Sequence, residues 1–110
     1  LTLQEVAAMV ESFGLPFAYY SFPEKEAPDL PYVVYYYPNS DDMIADNKNY
    51  QPINAVDIEV YTRNKDFALE SRVENILKAH DIPYEKNSTY SNSEHMWGIL
   101  YAAEVIIKEN

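Results

Sequence analysis

Asn54-Ala-Val-Asp-Ile-Glu-Val-Tyr-Thr62, followed by Arg63-Asn64-Lys65-Asp66, then Phe67 to His80 and Asp81-Ile-Pro-Tyr84, is the stretch that decides the fold. Val56, Ile58 and Val60 alternate with Asp57, Glu59 and Tyr61, the period of a strand buried on one face. Leu69, Val73, Ile76 and Leu77 then recur at helical spacing. Asp66 is a good N-cap residue for that helix, and Pro83 forces it to stop. The strand is expected at the centre of a sheet, with its helix covering one face.

Working outward, Thr2-Leu3-Gln4-Glu5 has the form of a capping box, and Leu3, Val6, Ala7 and Val10 make an apolar stripe. Gly14 and Pro16 end this first helix, predicted over residues 3–13. Phe17 to Phe22 reads as a strand bounded by Pro23, and Glu24 to Pro31 as a charged surface link. Tyr32 to Tyr37 is a strand closed by Pro38-Asn39-Ser40-Asp41. Met43-Ile44-Ala45 is a short strand before a polar turn at Asp46-Asn47-Lys48-Asn49, and Pro52 precedes the main strand. Downstream, Ile82 to Tyr90 and Met96 to Ile107 form an antiparallel pair across the turn Ser91-Asn92-Ser93-Glu94. The order α-β-β-β-β-α-β-β predicts one α+β domain over residues 1–110, with a mostly antiparallel sheet and two helices packed on it.

Composition limits the chemistry. With no cysteine, disulfides, thiolate metal sites and cysteine nucleophiles are excluded. No apolar run approaches the roughly 20 residues that span a bilayer, so no membrane partner is expected. The start, Leu1-Thr-Leu-Gln-Glu5, has no signal-peptide character, and a chain opening on Leu is expected to lack a few leading residues. The net charge of −10 argues against tight nucleic-acid binding, which depends on clustered Lys and Arg. Such a surface serves solubility, or lets DNA slide past, or mimics DNA, or meets a basic partner.

Motifs for catalysis are missing. His80 and His95 lie far apart, and His80, near a helix end, is expected to meet terminal carbonyls. Asp41, Asp42 and Asp46 do not fit the spaced calcium loop and read as a solvated turn. Only Gly14 and Gly98 are available, which excludes phosphate-cradling loops. Asn87-Ser88-Thr89 matches the glycosylation pattern by chance. Asp57 and Glu59 share one strand face, and as paired carboxylates they carry the one enzymatic possibility; exposed charges on a half-buried strand are the commoner case. Trp97 is expected in the core, with an interface anchor as the alternative. The expectation is a protein without catalytic activity, cofactor or metal.

Eleven tyrosines are the other excess. Tyr35-Tyr36-Tyr37 must place rings on both faces of its strand, so one face needs a helix or another subunit over it.

Val56-Asp-Ile-Glu-Val-Tyr-Thr-Arg-Asn-Lys-Asp66 running into Leu69-Glu70 and Val73-Glu74 resembles small tail proteins of long-tailed bacteriophages. Ile82-Pro-Tyr-Glu-Lys86, the final strand after Ser93-Glu94, Tyr32-Val-Val-Tyr-Tyr-Tyr37 and Ala45-Asp-Asn-Lys48 extend the likeness over most of the chain from Tyr32. The resemblance is to the tail-terminator and tail-to-head joining group. It implies α+β subunits without catalytic residues that form a ring, often hexameric, on the tail tube. The implied partners are further copies, tail-tube proteins and head-connector proteins, and the implied location is the bacterial host cytoplasm during assembly, then the virion tail. The candidate interface or lumen-facing residues are Tyr35, Tyr37, Asp41, Asp42, Asp57, Glu59 and Tyr61. The rival reading is a small acidic DNA mimic that inhibits a basic host protein.

Overall fold

A computed structural model describes residues 1–38 and 53–108. Helix α1 (Leu3–Glu11) leads into β1 (Phe17–Tyr19) and β2 (Tyr32–Tyr36). Strand β3 (Ala55–Thr62), helix α2 (Phe67–Ala79), β4 (Tyr84–Ser91) and β5 (Met96–Glu104) complete the chain order. The strand expected over Met43–Ala45 and the carboxylates Asp41 and Asp42 lie outside the described residues.

Local chemistry sets the element ends. Thr2 Oγ1 accepts from the Glu5 N–H at 3.1 Å while Glu5 Oε1 accepts from the Thr2 N–H at 2.8 Å, so the capping box closes reciprocally. Helix α1 stops at Glu11, two residues before the predicted end, and a hydrogen-bonded turn carries the chain to Gly14 at φ 82°. At that φ any Cβ is strained, which is why the glycine stands there. Asp66 caps α2 by accepting from the Leu69 N–H at 3.0 Å. At the other end His80 Nδ1 lies 2.9 Å from the Ile76 carbonyl oxygen, the contact expected of it.

The five strands form one sheet in the order β1-β2-β3-β5-β4, with β3 in the middle as expected. All neighbours are antiparallel except β1 and β2, which run parallel. A parallel pair needs a crossover of roughly a dozen residues, and the link through Pro31 supplies it. Strand β1 ends at Tyr19 rather than Phe22, because Tyr20 turns at φ 73° and Ser21 N–H bonds back to the Tyr19 carbonyl at 2.8 Å.

Both helices lie on one face. Val6, Met9, Val10 and Phe13 of the α1 region and Leu69, Val73 and Leu77 of α2 form a single cluster with Val33, Tyr35, Ile58, Val60, Ile99 and Tyr101. Each large aliphatic side chain buried there contributes about 1.5–3 kcal/mol. The other face of the sheet has no helix on it among the described residues.

An ion network ties α2 to the sheet. Glu70 is 3% exposed. Lys65 Nζ reaches its Oε2 and Lys86 Nζ its Oε1, each at 2.7 Å, and Lys86 also meets Glu74 Oε2 at 2.7 Å. Tyr101, wholly buried, donates its hydroxyl to Glu74 Oε2 at 2.9 Å. Burial draws the Glu70 and Glu74 carboxyls upward, but the lysine contacts, joined at Glu74 by Tyr101, outweigh it and hold both below the ordinary value of 4.5.

Candidate functional site on the open sheet face

Strand register decides which side chains meet on the open face. Opposite one another across β2 and β3 stand Tyr32 and Tyr61, Val34 and Glu59, and Tyr36 and Asp57. Across β3 and β5 the same rows continue to Gly98, Leu100 and Ala102. The result is a band with carboxylates in the middle, tyrosine rings on one side and apolar groups on the other.

Glu59 is the hub. It accepts hydrogen bonds from the hydroxyls of Tyr61, at Oε1, and of Tyr36, at Oε2 and 3.3 Å. Burial, with Glu59 and Asp57 nearby, pushes the Tyr36 hydroxyl up to about 12, and burial with the bond to Glu59 raises that of Tyr61 still more. Both phenols therefore remain donors at any physiological pH. Asp57, one row along, is raised above its ordinary value of 3.8 by burial, with Tyr36 opposing and Glu59 reinforcing the rise. A carboxylate held by two phenols in a half-buried face is fixed in place, with one donor on each of its oxygens. It is not arranged as a base beside a nucleophile.

The aromatic rings extend this band. Tyr32 packs on Tyr61 with centroids 5.5 Å apart and on Phe22 at 5.2 Å. Tyr20, 70% exposed, meets Tyr36 edge-on at 6.0 Å. Gly98 lies beneath the Tyr61 ring: a Cβ there would stand 3.2 Å from a ring carbon, so the phenol lies flat on the strand only because the side chain is absent. The segment carrying Phe22 and Ala27 walls one end of a groove of about 550 Å³, and Thr89, Ser91, Glu94 and Met96 wall the other. Its floor is Val34, Glu59, Tyr61 and Leu100.

Of the residues expected to share one surface, Asp57, Glu59 and Tyr61 do so. Tyr35 and Tyr37 do not: at 7% and 8% exposure they face the helices with Val33, inside the core, and are removed from any contact surface. The strand alternates, so the phase that buries Val33 also buries Tyr35 and Tyr37 and turns Tyr32, Val34 and Tyr36 to the open side. Tyr32, Tyr36 and Leu100 are thus the members of this face that were not anticipated. Trp97 is partly buried beside Tyr90, ring centroids 5.3 Å apart, with Lys65 Nζ 5.4 Å from its centroid. Among the described residues no cluster of His, Asp and Glu is arranged to hold a metal ion, and no helix is long and apolar enough to cross a membrane.

Comparison with protein-family models gives no match, and comparison with curated proteins gives no significant one.

Proposed function

We propose that this chain is a non-catalytic assembly subunit of the phage tail-terminator and head-to-tail joining type, forming a ring that caps or joins a tail tube. The observation that carries the proposal is the open face of the sheet, where Tyr32, Tyr36, Tyr61 and Leu100 surround Glu59 with no helix over them among the described residues. Phenol rings with an apolar body and a polar tip, mixed with aliphatic groups, suit a protein interface wet at its edge. The α+β architecture supports this reading, since the resemblance implies α+β subunits.

The same face favours a neighbouring subunit over a DNA-lined lumen. Glu59 is bound by two phenols and its neighbours on the face are aromatic and apolar, so this surface makes a poor repulsive lining for a duplex. We therefore assign the face to subunit contact and leave DNA repulsion to the rest of the acidic surface, at net charge −10. A DNA mimic asks for exposed rows of carboxylates, and Glu59 and Asp57 are half-buried and partnered.

Native mass spectrometry and light scattering at rising concentration, with and without tail-tube and connector proteins, test the proposal. Rings are expected, at least when those partners are present. Leu100→Lys, which sets an ammonium on the open face, is expected to prevent them while leaving the circular dichroism of the subunit unchanged. A subunit that stays monomeric throughout, with every partner, overturns the proposal.

A further inference from the structure

Strand β4 has β5 as its one sheet neighbour among the described residues. One bond fixes the phase of that pairing: the Glu104 N–H donates to the Pro83 carbonyl at 2.9 Å, one step beyond the Tyr84–Ala103 pair. Hydrogen-bonded and non-bonded pairs alternate along an antiparallel ladder. Glu85, Asn87, Thr89 and Ser91 therefore turn their backbone groups toward β5. Tyr84, Lys86, Ser88 and Tyr90 turn theirs outward, an open row of donors and acceptors of the kind that templates another strand.

The usual protections of such an edge are lacking here. Pro83 precedes β4 and no proline lies within it, and from Asn87 to Ser91 no side chain is charged. Lys86 is the one base on the strand, and its ammonium is drawn over the helix side onto Glu70 and Glu74 at 2.7 Å each.

We infer that β4 pairs antiparallel with β4 of a second copy about a two-fold axis, continuing the sheet across two subunits. The uncharged run from Asn87 to Ser91 lets an identical strand meet this one without like charges opposed, and Glu85 and Lys86 at its start restrict the register. A register centred on Lys86 or on Glu85 sets like charges directly opposite, which is unfavourable. Centring on Ser88 sets Lys86 opposite the second copy's Tyr90 and Asn87 opposite its Thr89. Centring on Asn87 sets Tyr84 opposite the second copy's Tyr90 and Lys86 opposite its Ser88. Both join outward-facing groups to outward-facing groups, and centring further along, on Thr89, leaves a shorter paired ladder within Tyr84–Ser91, so the axis passes at Asn87–Ser88. This contact is self-complementary, unlike the head-to-tail contact that a ring requires, so either can fail without the other.

Because the chain has no cysteine, single substitutions read the contact directly. Ser88→Cys and Asn87→Cys each place one thiol on the axis of one register. Cα atoms directly opposite in such a pair stand about 4.5–5.5 Å apart, within disulfide range. Under mild oxidation one of the two variants is expected to form a disulfide dimer at least about tenfold faster than Asp29→Cys, in the link beyond the opposite edge. In the unmodified chain the amides of Lys86, Ser88 and Tyr90 are expected to gain exchange protection as concentration rises, in step with the dimer seen by sedimentation. Cross-linking no faster than Asp29→Cys in both variants, with those three amides exchanging freely at every concentration, overturns the inference.

Discussion

Replacing Lys86 by Met tests the network between α2 and the sheet, because the substitution keeps most of the apolar stem and removes only the charge. Lys86 Nζ stands 2.7 Å from oxygens of both Glu70 and Glu74. Without it, Glu74 loses its ammonium partner and keeps the Tyr101 hydroxyl, while Glu70, at 4% side-chain exposure, keeps Lys65 and cannot turn into water. Removing one partner of a fully buried ion pair costs about 3–5 kcal/mol. The Lys86 side chain is itself 34% exposed, so solvent already screens part of the interaction. The expected cost is about 2 kcal/mol near pH 7, or a drop of about 10 °C in Tm.

The sign with pH follows from the shifts. Glu70 and Glu74 are held below their ordinary 4.5, so their share of stability is present above that value and is lost as pH falls through the lowered ones. Contacts with Glu70 and Glu74 raise Lys86 above its ordinary 10.5, so its share is present below that value and lost as pH rises through the raised one. The penalty of Lys86→Met is therefore largest between these limits and shrinks as the carboxyls protonate in acid. Urea unfolding followed by the fluorescence of Trp97, at low protein concentration, measures it. A penalty below roughly 0.5 kcal/mol near neutrality would show that the network adds nothing.

Tyr101→Phe deletes the hydroxyl that serves Glu74 inside the core and is expected to cost about 1–2 kcal/mol by the same unfolding assay, with no loss of secondary structure. Gly14→Ala meets nothing closer than Arg72 at 3.8 Å, so its expected cost of about 1–2 kcal/mol comes from the backbone alone; a neutral result would mean that φ 82° is not held in solution. Thr62→Val removes a buried hydroxyl that has no hydrogen-bond partner among the described residues and is expected to stabilise by about 1 kcal/mol, and a lower Tm would point to a hidden partner. The hydroxyls of Tyr35, Tyr36, Tyr37, Tyr61 and Tyr101 are all raised above 10.0 by burial first, so ultraviolet titration should show them still protonated when exposed tyrosines ionise, and stability should fall as pH rises beyond 10.0.

Much of the fold is legible in short-range chemistry. The alternation of Val56, Ile58 and Val60, the caps at Thr2 and Asp66 and the left-handed turn at Gly14 each act within a few residues, and each appears where expected, although α1 itself ends at Glu11. Strand phase is harder where both faces are apolar. Val33-Val34 followed by three tyrosines carries no hydropathy alternation, so only the pairing with β3 shows that Tyr35 goes inward and Tyr36 outward. Glu70 lay deeper than a helical stripe predicts, below the partly buried Ile76, because its partners Lys65 and Lys86 arrive from a loop and from another strand. No local pattern encodes that meeting.

The distribution of tyrosine follows from the one-sided helix cover. Tyr101, on the helix side, is buried whole, so it needs Glu74 to satisfy its hydroxyl, and the cost of a mismatch is high. On the open side a phenol has water at its tip and asks for no such partner, yet Tyr36 and Tyr61 converge on Glu59 all the same. That convergence fixes two rings and one carboxylate in a single arrangement before any neighbour arrives. A face ordered in advance loses less side-chain freedom on contact, at about 0.5–1.5 kcal/mol for each rotamer-rich side chain spared. Glu59→Gln keeps the shape and can still accept at one oxygen, so it should weaken assembly only slightly. Glu59→Ala frees both rings, and it should weaken assembly far more than the small area it removes would account for.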